Sequence, residues 1–61
     1  MSKKSYKNIV KALYNEVYIT WNPTQQKYIV WTDKAILGKG ELTNLAWMDA
    51  YENLKKEGRI L

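Results

Sequence analysis

Cysteine and histidine are both missing from this chain of 61 residues. Without them no disulfide can staple the fold, and the thiolate and imidazole ligands of most zinc sites are gone. A nucleophile activated by histidine is excluded as well. Phenylalanine is absent, proline occurs once, at Pro23, and arginine once, at Arg59. Reading of base edges by arginine therefore has little to draw on. No apolar run approaches the roughly 18 residues that a membrane-spanning helix needs. The basic start, Met1 to Val10, has no apolar stretch and no small-residue cleavage site, so it does not read as a signal peptide. The expected compartment is the cytosol of the producing cell or of a host, with no membrane partner.

What is present is a skewed aromatic set, three Trp and five Tyr. Both side chains have an apolar body and a polar tip, and both suit surfaces that stay partly wet. The length allows one domain, residues 1–61, with residues 1–4 read as a frayed start. A chain this short buries only about 60% of its unfolded surface. Its core must rest on aliphatic and aromatic packing, or on a partner. A homodimer that buries part of the aromatic surface is one way to gain the margin.

The chain is organised around Glu16 to Thr32. Two runs, Val17-Tyr18-Ile19-Thr20-Trp21 and Tyr28-Ile29-Val30-Trp31-Thr32, are almost wholly β-branched or aromatic, the composition of a pleated, half-buried surface. Between them, Asn22 and Pro23 suit the first two positions of a type I turn. A β-hairpin follows. A four-residue loop, Pro23 to Gln26, pairs Asn22 with Lys27, Trp21 with Tyr28 and Ile19 with Val30. The opposite side of the ribbon then carries Glu16, Tyr18, Thr20, Ile29 and Trp31. A loop one residue longer or shorter would instead set Val17 and Ile19 beside Ile29 and Trp31. In either register both faces carry large aromatics. Two strands alone are not stable in water, so helices must cover one face.

A helix is expected on each side of the hairpin. The first starts at Ser5 or Ser2, either of which can cap an orphan N–H. Tyr6, Ile9, Val10 and Leu13 give it an apolar stripe, and Asn15 stops it. The second has Thr43 as N-cap, with Leu42 placed for a hydrophobic staple. Trp47, Ala50, Tyr51 and Leu54 form its stripe, widened by Leu45 and Met48. Gly58 is the expected stop, with Ile60 and Leu61 folding back. Between hairpin and second helix, Ala35 to Leu42 reads as a short third strand at the sheet edge. Gly38 and Gly40 weaken it. Gly38-Lys39-Gly40 lacks the GxxxxGK[ST] pattern of a phosphate cradle and reads as a turn or bulge. The fold class is α+β, an α-β-β-(β)-α domain with an antiparallel hairpin or three-stranded sheet and both helices on one face.

The net charge of +4 is unevenly placed. Lys3, Lys4, Lys7 and Lys11 lie in the first 14 residues with no acid, and the remaining charges balance. These lysines are the candidate nucleic-acid contacts, each releasing counterions from a phosphate. Six scattered carboxylates offer no metal-ligand spacing and no opposed pair in a cleft. No enzyme, cofactor or metal is expected.

Helix, hairpin, third strand and helix, in that order from Tyr6 to Leu54, resemble the double-stranded-RNA-binding domain. Ile36-Leu37-Gly38-Lys39-Gly40-Glu41-Leu42 is similar to that family's glycine-containing third strand. The family meets RNA through its first helix and a KKxAK motif opening its second. Here Thr43-Asn44-Leu45-Ala46-Trp47 matches the alanine and not the lysines, so the resemblance implies the fold and, at most, contacts from the exposed lysines of the first helix.

The expected function is a small non-catalytic binding module. It would modulate a larger protein through the aromatic face of Tyr18, Thr20, Ile29 and Trp31, since Trp and Tyr serve as interface anchors. Strand addition along Lys34 to Leu42 is a second route to a protein partner. The alternative is DNA or RNA binding through the first helix, with sheet aromatics stacking on bases. Lysine outnumbers arginine nine to one, as in AT-rich genomes, which suits a viral or mobile-element accessory protein.

Overall fold

A computed structural model describes residues 5–60. The order is α1 (Tyr6–Leu13), β1 (Tyr18–Asn22), β2 (Lys27–Trp31), β3 (Ile36–Gly40) and α2 (Thr43–Lys56). The three strands form one antiparallel sheet in the order β1-β2-β3.

The hairpin has the four-residue loop and the register that turn chemistry favours, with Asn22 opposite Lys27 and Ile19 opposite Val30. Asn22 Oδ1 accepts the Gln25 N–H at 3.0 Å, so the side chain itself closes the corner. Gln26 completes the loop at φ +55°, in the left-handed region. The ladder starts at Tyr18, one residue later than the sequence run suggests. The second corner is built on Thr32. Its N–H bonds the Ala35 carbonyl at 2.8 Å, and its Oγ1 accepts the Lys34 and Ala35 N–H groups at 3.2 Å each.

Ser5 caps α1, its Oγ accepting the Asn8 N–H at 3.3 Å; Ser2 lies outside the described residues. Of the expected stripe only Val10 is fully buried, while Tyr6 and Leu13 stay exposed. A helix of eight residues presents little more than one contact turn to its neighbour, and α1 packs chiefly on α2. Gly58, at φ +78°, ends α2 as expected. Its N–H bonds the Lys55 carbonyl and the Arg59 N–H bonds the Leu54 carbonyl, which satisfies the last turn.

The start of α2 differs from expectation. Leu42, not Thr43, holds the cap position, and no side chain caps the helix. Leu42 is exposed and staples nothing. The buried stripe is Ala46, Trp47, Ala50 and Leu54, with Met48 turned outward. The helix is rolled toward its small residues because it lies against β3. A Cβ on Gly38 would meet Ala50 N, and would sit 2.7 Å from Ala50 Cα. A Cβ on Gly40 would sit 2.6 Å from the Leu45 carbonyl carbon. The two glycines are therefore what lets the helix backbone touch the strand.

The core is Val10, Val30, Leu37, Ala46, Trp47, Ala50 and Leu54, all on the helix side of the sheet. Ile19, Tyr28, Tyr51 and Ile60 pack around it.

Candidate functional site

Strand alternation sorts the sheet into two faces. Ile19, Val30, Gly38 and Gly40 face the helices. Tyr18, Thr20, Ile29 and Trp31 lie on the opposite, helix-free face, and the pairing sets Tyr18 beside Trp31 and Thr20 beside Ile29. The four expected interface residues are thus brought together. They are not equally available. Tyr18 is 41% exposed and Trp31 half-buried, whereas Ile29 is only 7% exposed, hidden among its neighbours at the centre of the sheet.

The aromatic pair is held in place. The rings of Tyr18 and Trp31 lie 4.8 Å apart, tilted by 38°. Trp31 Nε1–H donates to Thr20 Oγ1 at 3.1 Å, and the Tyr18 hydroxyl donates to Glu16 Oε1 at 2.8 Å. That bond to Glu16, and then the negative charge of Glu16 itself, hold the Tyr18 phenol above its ordinary pKa of 10.0. Both polar tips are satisfied, so the ring faces are what remains to offer.

A further member was not visible in the sequence. The ladder between β2 and β3 shifts register beside Trp31, setting Ile36 opposite Trp31 and Gly38 opposite Val30. The extra residue, Leu37, turns into the core. This bulge places Ile36, 58% exposed, on the helix-free face. Tyr18, Trp31 and Ile36 then form an apolar row across all three strands. Strict alternation along Ile36-Leu37-Gly38 would have put Leu37 there instead. No sequence signal reports a bulge except the nearby glycines.

The outer edge of β3 is already in use. The Lys39 N–H donates to Asp49 Oδ2 at 2.9 Å, and Asn53 Nδ2 donates to the Leu37 carbonyl at 2.9 Å. Strand addition there would have to displace both α2 side chains, which corrects the expectation of an available edge along Lys34 to Leu42.

Lys7 and Lys11 are exposed on α1; Lys3 and Lys4 lie outside the described residues. At the start of α2, Thr43 and Asn44 bring no positive charge to join them. Among the described residues no three acidic side chains gather as a metal site. A concavity of about 810 Å³ opens between the Thr32 corner and the end of α2. Lys34, Lys56 and Arg59 line it together with Glu16, Asp33 and Glu57, so it favours neither sign of charge.

Fold and surface together define a small α+β domain, with two helices on one face of a three-stranded antiparallel sheet and an apolar row on the other. The element order is that of the double-stranded-RNA-binding domain. No family model, curated protein or solved structure matches the chain.

Proposed function

We propose that the chain is a non-catalytic binding module that docks on a larger protein through the helix-free face of its sheet. One observation carries this reading: Tyr18, Trp31 and Ile36 make a continuous apolar row from one sheet edge to the other, on the face its own helices leave bare. Pinned aromatic rings lose little side-chain freedom on binding, which is why Trp and Tyr anchor interfaces. An accessory role in a virus or mobile element fits the small size and the lysine bias.

Ile36→Lys tests the proposal. The site is exposed, so the fold survives, which circular dichroism checks. The variant adds a charge at the end of the row and should lose the partner that wild-type protein retains from nuclease-treated extract. Tyr18→Ala and Trp31→Ala should lose the same partner, while Lys7→Ala and Lys11→Ala keep it. The nucleic-acid reading predicts the reverse. Random DNA or RNA would bind wild-type protein with a log–log salt slope of about −3 to −4, and Ile36→Lys would bind more tightly. That result would remove the protein-docking proposal.

A further inference from the structure

The two edges of the sheet are treated differently. On β3 the outward Leu37 carbonyl and Lys39 N–H are taken by Asn53 and Asp49. On β1 none is taken among the described residues. Which groups point outward follows from the ladder. The Lys39 N–H leaves the outer edge, so Lys39 and its partner Ile29 do not bond each other. Ile29 must then bond Thr20 across β1, because antiparallel pairs alternate. Ile19 and Trp21, on either side of Thr20, therefore present their N–H and C=O groups outward. Natural edges of this kind are usually protected by lysine, proline or a bulge. The strand Tyr18-Ile19-Thr20-Trp21-Asn22 contains no charge and none of these devices.

We infer that a second copy of this chain pairs with β1, antiparallel and two-fold about Thr20, to make a six-stranded sheet. The chain complements itself in that register. Ile19 faces Trp21 of the other copy, so the free backbone groups meet each other twice. A two-fold centred on Trp21 would set Ile19 opposite Pro23, which has no N–H. One centred on Ile19 would set Trp21 opposite Val17, beyond the strand. Side chains agree with the backbone. Trp21 is 48% exposed although it lies on the helix side of the sheet. In the pair it comes over a groove of about 490 Å³, lined by Tyr6, Ile19 and Trp47. On the other face, Tyr18 faces Asn22 of the second copy, whose cross-strand neighbour is Lys27.

Sedimentation equilibrium from about 10 µM to about 1 mM tests it, the range in which interfaces at the small end of the size scale dissociate. Wild-type mass should rise from monomer to dimer and stop there. Thr20→Lys sets two ammonium groups face to face at the two-fold and should weaken the dimer at least about tenfold. Trp21→Lys should do the same, and Ile36→Lys should leave the dimer intact. Because the chain has no cysteine, Thr20→Cys reports the register directly. Residues that face without bonding lie about 4.5 Å apart at Cα, within disulfide reach. Thr20→Cys should oxidise to a covalent dimer in a glutathione buffer, and Gln25→Cys, in the hairpin loop, should form no covalent dimer. A wild-type chain monomeric throughout would overturn the inference. So would a dimer that both lysine variants leave unchanged, or one in which the two cysteine variants oxidise alike. If the β1 edge instead takes a strand from another protein, wild-type chain stays monomeric alone, and the inference also fails.

Discussion

Single residues carry more of this fold than their size suggests. Gly38 and Gly40 read in the sequence as weak points in a strand, and in the structure they are the contact between strand and helix. Ala46 and Ala50 are fully buried opposite them, so two rows of minimal side chains meet. A methyl group at Gly38 has nowhere to go, since what it meets is backbone. Overpacking of this kind costs about 1–3 kcal/mol or more. A domain of this length has roughly 3–9 kcal/mol to lose. Gly38→Ala should therefore lower the urea midpoint by a large fraction, while Gly58→Ala perturbs only the helix end. An unchanged midpoint for Gly38→Ala would mean that α2 does not sit this close. Thr32 works in a similar way. One buried hydroxyl closes the corner between β2 and β3, and that corner brings β3 under the helix.

At the level of elements, β3 is the strand the sequence says least about and the structure uses most. It carries the two glycines, the bulge that exposes Ile36, and the edge that α2 seals with Asp49 and Asn53. Those two side chains are four residues apart on one face of the helix, and their partners are two residues apart on the strand. The match makes the helix a lid on the edge. Removing both, as Asp49→Ala with Asn53→Ala, gives up two hydrogen bonds, about 1 kcal/mol each. It also opens β3 to strand addition. Placed on the Thr20→Lys background, where the β1 edge is blocked, the double change should restore concentration-dependent association, seen by light scattering. Continued monomer behaviour would show that the two side chains stabilise the fold without guarding its edge. The uncapped start of α2 belongs to the same scale. The chain leaves β3 at Gly40 and enters the helix within two residues, and Leu42 at the cap position has no side-chain acceptor for the first-turn N–H groups.

For the whole molecule, the net charge of +4 sets the sign of a salt effect. Two copies repel each other, and salt screens that repulsion, the Debye length falling from about 10 Å at 0.1 M to about 3 Å at 1 M. Dimerisation through β1 should therefore tighten between about 50 mM and about 500 mM salt. Nucleic-acid binding would weaken over the same range, because it releases counterions. A single salt series on mass and on binding to random RNA thus separates the two uses of the surface. A dimer that dissociates as salt rises would point to an ionic interface elsewhere.

The hairpin, its register, both helices and the stop of α2 were legible because each depends on neighbours in the chain, whereas α1 ends at Tyr14, one residue before the expected Asn15. Asn22 closes its own turn, Ser5 caps its own helix, and Gly58 supplies its own positive φ. The α+β class followed, since a two-sided aromatic ribbon needs helices to cover it. What only the tertiary structure decided is where β3 pairs, that it bulges, that Asp49 and Asn53 reach its edge, and hence that Ile36 joins Tyr18 and Trp31 while the β1 edge stays open. Those outcomes depend on how closely a helix can approach a strand at two glycines, a contact between segments five to twelve residues apart in the chain. Local preferences do not encode that distance, because packing, not propensity, sets it.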